Sequence, residues 1–318
     1  MKIVSLLPLF VLCQQGLALA ADDPKQTASK SGYQLGSFVV TPEMGMTGVY
    51  DDNIFATRTD RQSDQILIFS PSLNISSDWQ KHELEFFANA DIGRYRDYDT
   101  EDYDDFSFGT SGRYDISDKD NLFAGLSYSE DHESRASPDS FFGRYPTEYS
   151  SLDAHAGTIR QLGQFAMRFC GTWQHLDFDD VPTESGILNN DDRDRDIYGL
   201  GLRITYNKTA SMSPFVQAIY DRREYQNTPD DNLFERDSDG YRLAAGFSST
   251  ISQKLKSEVY LGHLWQHYED AAFSDISKPD FGASVRWLSN PSTLISASIE
   301  RDITETTLFA SPGAVETL

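Results

Sequence analysis

Tyr198-Gly199-Leu200-Gly201-Leu202-Arg203-Ile204-Thr205-Tyr206 is the stretch whose reading decides the fold. Tyr198, Leu200, Leu202, Ile204 and Tyr206 fall on one side of an extended chain, and Gly199, Gly201, Arg203 and Thr205 fall on the other. A helix would scatter these apolar residues around its circumference, whereas a strand sorts them onto one face. The same sorting recurs in 241–251, where Tyr241, Leu243, Ala245, Phe247 and Ile251 oppose Arg242, Gly246, Ser248 and Thr250. It recurs in 281–287, with Phe281, Ala283, Val285 and Trp287 against Gly282, Ser284 and Arg286. In 165–174, Phe165, Met167, Phe169 and Trp173 oppose Arg168, Cys170, Thr172 and Gln174.

Working outward, segments of this kind begin near residues 38, 65, 82, 104, 121, 149, 164, 194, 210, 238, 255, 278 and 292, thirteen in all. Their connections alternate in length. Tight turns lie at Trp79-Gln80-Lys81, Ser117-Asp118-Lys119-Asp120, Leu162-Gly163, Asn207-Lys208-Thr209, Ser252-Gln253-Lys254 and Ser289-Asn290-Pro291. Long acidic loops cover 51–64, 130–148, 177–195 and 226–237. Short turns at one end and long loops at the other mark a transmembrane antiparallel β-barrel, with its turns in the periplasm. A soluble β-sandwich shows no such alternation, and a propeller would need a repeat of roughly forty residues that is not found. Aromatic residues make up 13% of the chain and gather near strand ends, at Tyr50, Trp79, Tyr95, Tyr114, Tyr128, Trp173, Tyr198, Tyr206, Tyr241 and Trp287. Such residues form the two girdles of a barrel, where a ring is half wet and half dry.

The first twenty residues differ from the rest. Met1-Lys2, the apolar run Ile3 to Leu12 and Ala18-Leu19-Ala20 have the layout of a secretory signal peptide, cleaved after Ala20. Residues 21–36 read as a flexible periplasmic lead-in, and 37–318 as the barrel. Loss of the leader removes Lys2 and no acid, so the net charge deepens from −23 to about −24. A surface this acidic excludes nucleic acid as a partner. No stretch is long and apolar enough for a transmembrane helix. Barrels of a single bacterial chain have an even strand number. Thirteen is odd, so one or three closing strands are expected beyond residue 318, for a total of about fourteen to sixteen. The alternative is a count off by one near 97–106.

Several stretches resemble the putative β-barrel porin 2 family of outer-membrane proteins. They are Tyr50-Asp51-Asp52-Asn53-Ile54-Phe55, Ser70-Pro71-Ser72-Leu73, Gly93-Arg94-Tyr95, Asp104-Asp105 and Glu133-Ser134-Arg135-Ala136-Ser137-Pro138. The resemblance covers most of the chain beyond the leader. It implies a porin-like barrel of the Gram-negative envelope with a transport role, and an association with exopolysaccharide export.

Three sets of residues are candidates for function. Arg113, Arg203 and Arg286 lie three to five positions before a tight turn, and Arg168 lies five after one. Parity faces all four inward, at similar height near the periplasmic mouth. Guanidinium groups there suit an anionic polymer or a small anion. The competing reading is structural pairing with inward acids, for which Glu43, Glu85, Asp91, Asp153 and Glu300 are the candidates. The acidic loops form the second set. Asp179, Asp180, Asp191 and Asp192 offer hard oxygen ligands for calcium or magnesium bridging to lipopolysaccharide, although no loop has the twelve-residue calcium pattern. Solvated, self-repelling loops are the simpler reading. The third set is the histidines, among them His155 and His175; no nucleophile elbow or helical zinc motif accompanies them, so no enzyme and no cofactor is expected. The leading expectation is a channel for a saccharide or exopolysaccharide, with lipid, lipopolysaccharide and periplasmic export proteins as partners. The alternative is a structural or adhesive barrel with cation-binding loops. Oligomeric state is left open.

Overall fold

In the computed structural model the described residues are 32–317, apart from 141–142, 185, 208–210, 253, 291–292 and 308–313. The signal-peptide reading of 1–20 and most of the lead-in lie outside them. Alternating side chains give long strands, numbered in chain order. β1 (Tyr33–Leu35) is short, followed by β2 (Phe38–Asp51), β3 (Asp64–Ser77), β4 (Glu83–Tyr95), β5 (Tyr103–Asp115) and β6 (Asp120–His132). Next come β7 (Glu148–Leu162), β8 (Phe165–Phe178), the short β9 (Val181–Pro182) and β10 (Ile187–Leu188), and β11 (Arg195–Tyr206). The series continues with β12 (Ser213–Tyr225), β13 (Ser238–Ser252), β14 (Leu255–Tyr268), β15 (Ile276–Asn290) and β16 (Thr293–Glu300). β17 (Asp302–Glu305) and β18 (Ala314–Thr317) form a separate antiparallel pair.

The thirteen long strands, β2 to β8 and β11 to β16, are the thirteen segments expected, and β1 brings the main sheet to 14. Every neighbour in that sheet is the next strand along the chain, apart from the β9–β10 hairpin set into the loop between β8 and β11. This up-and-down order gives each strand inside the sheet two neighbours for its backbone N–H and C=O groups, as lipid requires. Pro71 has no N–H to donate, and the β3–β4 pairing lapses beside it, between Phe69↔Ile92 and Ser72↔Asn89. The segment 97–106, where a miscount was possible, holds a 3-10 turn at Asp99–Glu101 that separates β4 from β5. The lead-in differs from expectation at its end: Tyr33–Leu35 folds back on β2 through Gly36, whose φ of +61° suits glycine.

Parity divides the sheet into an apolar outer face and a polar inner one. Leu200, Leu202 and Ile204 on β11, Leu243 and Phe247 on β13, and Val259 and Leu261 on β14 are all exposed. Large exposed apolar residues in such numbers would be a liability in water and are a requirement in lipid. Rings collect at both ends of this face. Phe165 lies 5.0 Å from Tyr206 at the short-turn end, with Tyr114 and Trp287 at the same level of their strands. Tyr220 lies 5.2 Å from Tyr241, and Phe108 5.5 Å from Tyr128, at the long-loop end. Tyr95 departs from the girdle expected of it. It is paired with Ile66, which is buried on the inner face, so its ring points inward.

The inner face carries a device that composition does not show. Phe87 stands directly opposite Gly109, Tyr103 opposite Gly93, Phe123 opposite Gly157 and His155 opposite Gly125. Phe215 and Tyr260 stand likewise opposite Gly246 and Gly282. Each ring lies down over its glycine: a Cβ on Gly157 would come within 2.4 Å of both the Phe123 ring and the Phe169 carbonyl. The rings shield backbone that glycine leaves bare, and they stay flat against the wall instead of crossing the lumen.

At the long-loop end the acidic segments are only in part the solvated, self-repelling loops expected: Asp177, Asp179, Asp180 and Asp191 are exposed, but other loop acids are buried against arginines. Arg193 is ion-paired with Glu133, Arg135 with Glu101 at 2.7 Å, and Arg236 with Asp230 at 2.6 Å, all buried or nearly so. Arg236 also donates to the Thr306 and Thr307 carbonyls, and Asp139 accepts from the Thr306 hydroxyl at 2.8 Å. The β6–β7 loop thus meets the chain beyond β17, so the sheet curls until distant strand ends share one cap. Three loop arginines each offset one of the acids that dominate by count.

Candidate functional site

The inner face near the short turns is where the four arginines fall. β8 and β11 pair so that Arg168 and Arg203 are direct cross-strand partners. Like charges side by side repel unless something compensates, and the two are compensated differently. Arg203 is 5% exposed and grips Glu258 of β14 with both terminal nitrogens, at 2.9 and 2.8 Å. Its Nη2 also donates to Ser248 of β13 at 2.9 Å, and its guanidinium lies 3.5 Å over the Phe215 ring. This reach from β11 across β12 and β13 to β14 is a chord on the concave side of the sheet. Arg168 is 6% exposed, lies 4.4 Å over the Phe123 ring, and has Nε and Nη1 buried with no hydrogen-bond partner. An unmet buried donor costs about 1–3 kcal/mol, more for a charged group.

The other two arginines stand apart. Arg113 of β5 is held by Glu83 at 3.0 Å and by Asp115 at 2.9 Å, in a half-exposed cluster. Its ladder runs through Phe123 and Gly157 to Cys170, two residues along β8 from Arg168. Arg286 of β15 stands opposite Lys256 of β14, two residues from the Ser284↔Glu258 pair. The structure therefore brings Arg168 and Arg203 into contact distance of one another's strands and sets Arg113 and Arg286 to either side.

The inward acids named as partners make other contacts. Asp91 accepts from the Ser70 hydroxyl at 2.5 Å, and Asp153 accepts from Ser151 at 2.7 Å and Gln174 at 2.8 Å. Glu85 accepts from the Asn74 amide, Glu43 faces Ser72, and Glu300 faces Gly282. Glu83, Asp115 and Glu258, which hold the arginines, were missed. Parity puts them on the same inner face, but which inner residues meet depends on curl and register. Short hydroxyl, amide and carboxylate side chains line the wall between the rings of β4 to β7, from Asn89, Ser107 and Ser127 to Ser151.

In the long loops, Asp180 accepts the Asn190 N–H at 2.9 Å and Asp192 the Asp231 N–H at 3.0 Å. The Asp179 carbonyl accepts from the Asn190 side-chain amide, and the Asp191 carbonyl closes a turn by accepting the Asp194 N–H. Among the described residues no three His, Cys, Asp or Glu side chains come together to hold a metal. Asp194 is buried and accepts the Phe178 N–H at 2.8 Å. Burial pushes its carboxyl up to about 6, helped by Asp177 and Asp191 and opposed by the Phe178 hydrogen bond. A carboxyl raised on folding adds stability below its unfolded value near 3.9 and loses it as pH rises through about 6. Segment 179–194 is therefore expected to be tighter at pH 5 than at pH 7.5. Protease cleavage of that segment should slow on acidification, and Asp194→Asn should flatten the response. Equal pH profiles for variant and parent would refute the assignment to Asp194.

A curled, sequentially paired antiparallel sheet with a lipid-type outer face, two aromatic girdles and a polar inner wall defines an outer-membrane β-barrel. The chain belongs to the putative β-barrel porin 2 family, whose model matches residues 26–318. It is a protein of the bacterial outer membrane. Among solved structures, a mutant of the ferric enterobactin receptor PfeA from Pseudomonas aeruginosa is similar at a TM-score of 0.52 and 9% identity, over 86% of this chain and 49% of the receptor. The alcaligin receptor FauA from Bordetella pertussis is similar at 0.43 and 12%, over 86% and 45%. The toluene transporter TodX from P. putida is similar at 0.38 and 9%, over 88% and 84%. This chain spans about half the length of the two receptors, and at these identities the likeness to PfeA is one of fold alone. No curated protein sequence matches the chain.

Proposed function

We propose that the protein is a channel for saccharide chains, serving the export of an exopolysaccharide, with no chemistry of its own. The observation that carries this reading is the inner wall of β4 to β7. There, half-buried Phe87, Tyr103, Phe123 and His155 lie flat against glycines, among Ser107, Ser127, Asn89 and Asp153. Sugars present hydroxyls at their edges and C–H groups on their faces. A wall of small polar groups and flat rings matches both, and channels select by the groups that line them. Outer-face rings and loop acids give the barrel its contacts with lipid and lipopolysaccharide.

The test is planar-bilayer recording of the purified, heat-modifiable protein. Stable conductance that falls on addition of oligosaccharide, and falls less in Phe123→Ala, is the expected result. The tied cap of Arg193–Glu133, Arg135–Glu101 and Arg236–Asp230 favours one other reading, a closed structural or adhesive barrel. A folded protein with no conductance would establish that reading instead.

A further inference from the structure

We propose that Arg168 is an oxyanion-binding residue of the inner wall, taking a carboxylate or phosphate carried by a saccharide. The saccharide rests on the channel reading above; the oxyanion does not. Of the inward arginines near the short turns, Arg113 has two carboxylates and Arg203 has one held by both its terminal nitrogens. Glu258 also accepts from Ser248, so its charge is committed to Arg203. Arg168 has no ion pair among the described residues, and two of its nitrogens are buried without an acceptor. The inner-face carboxylate of the adjoining strand, Asp153 of β7, is held by Ser151 and Gln174.

A guanidinium kept in this state is a donor set waiting for an acceptor. Nε with Nη2, or Nη1 with Nη2, forms a planar fork that fits two oxygens of one anion, so each unmet nitrogen belongs to one such edge. The Phe123 ring, laid over Gly157, fixes the plane of the guanidinium from one side. Arg203 is the cross-strand neighbour, so the local charge stays positive even with Glu258 in place. The same wall that offers rings to a sugar face thus offers, at Arg168, one point of charge recognition. Acidic saccharides are the class selected, over neutral ones of equal length.

Isothermal titration calorimetry on protein folded in detergent micelles tests this without needing conductance. The probes are a uronic-acid hexasaccharide, maltohexaose and inorganic phosphate. The uronate is expected to bind, to weaken about tenfold or more in Arg168→Gln, and to weaken less in Arg168→Lys, because a point charge replaces the fork. Maltohexaose binding should be the same in all three proteins. Arg168→Gln removes a buried, unmatched charge and should keep its heat-modifiable migration, so loss of binding would not be loss of fold. Arg168-dependent binding of phosphate but not of the uronate would overturn the saccharide assignment. Uronate binding that is absent, or unchanged in Arg168→Gln, would overturn the site. A protein that binds uronate through Arg168 yet conducts nothing would overturn the channel reading alone.

Discussion

Glu258→Gln is expected to destabilise the folded barrel by about 3–5 kcal/mol, the usual result of removing one partner from a buried ion pair. Arg203 is 5% exposed, and its Nε has no hydrogen-bond partner even with Glu258 present. Losing the carboxylate leaves the guanidinium with one neutral acceptor, the Ser248 hydroxyl, beside a second unpaired guanidinium at Arg168. The amide of glutamine restores a single neutral hydrogen bond, worth about 1 kcal/mol, and none of the charge. Arg113→Gln is the matched control, because its pairs with Glu83 and Asp115 are half-exposed, and exposed pairs contribute about 0–1 kcal/mol. Urea unfolding from lipid vesicles reads both changes. Equal, small effects would mean that Arg203 is well solvated, contrary to the packing described.

The second large effect is expected on the other face. Leu202→Arg puts a charge on the lipid side at mid-strand and should cost about 2–4 kcal/mol, falling toward zero for the same change nearer a girdle. Leu202 lies between Leu200 and Ile204, well inside the rings of Tyr198 and Tyr206, and its cross-strand neighbours are Phe169 and Ala218. No acid stands among them to compensate. Ser127→Arg, on the inner face at the middle of β6 opposite Asp153, changes the charge by the same amount at similar depth and should be mild. Vesicle-insertion yield and urea midpoint together check the contrast, and the same cost for both would refute the assignment of faces.

The second contrast follows from parity, the part of the fold most plainly legible in the residues. A strand between lipid and lumen must alternate, so Tyr198 to Tyr206 declares its own two faces, and the tight turns declare the ends. The inward set Arg113, Arg168, Arg203 and Arg286 is legible for the same reason. Their partners are not. Arg203 meets Glu258 only because the sheet curls across the two strands between β11 and β14, and curl is set by the whole sheet. The ring-on-glycine pairs are hidden in a similar way: Phe123 and Gly157 share a rung only once the register of β6 and β7 is fixed. The place of Tyr95 at a strand end suggests a girdle, but its parity with Asp91 and Gly93 points it inward. The loops misled by counting. Acids outnumber bases there, but Arg135, Arg193 and Arg236 are each placed to bury one of them.

Alternate-residue spin labelling along β6 tests the central claim, that this chain is a barrel wall with lipid on one face and a polar lumen on the other. Single cysteines at Leu122, Ala124 and Leu126, and at Asn121, Ser127 and Ser129, would carry nitroxides in a Cys170→Ser background reconstituted in vesicles. The account predicts high oxygen and low nickel-chelate accessibility at the first three sites, and the reverse at the second three. Uniform accessibility, or a period of three to four residues, would contradict it.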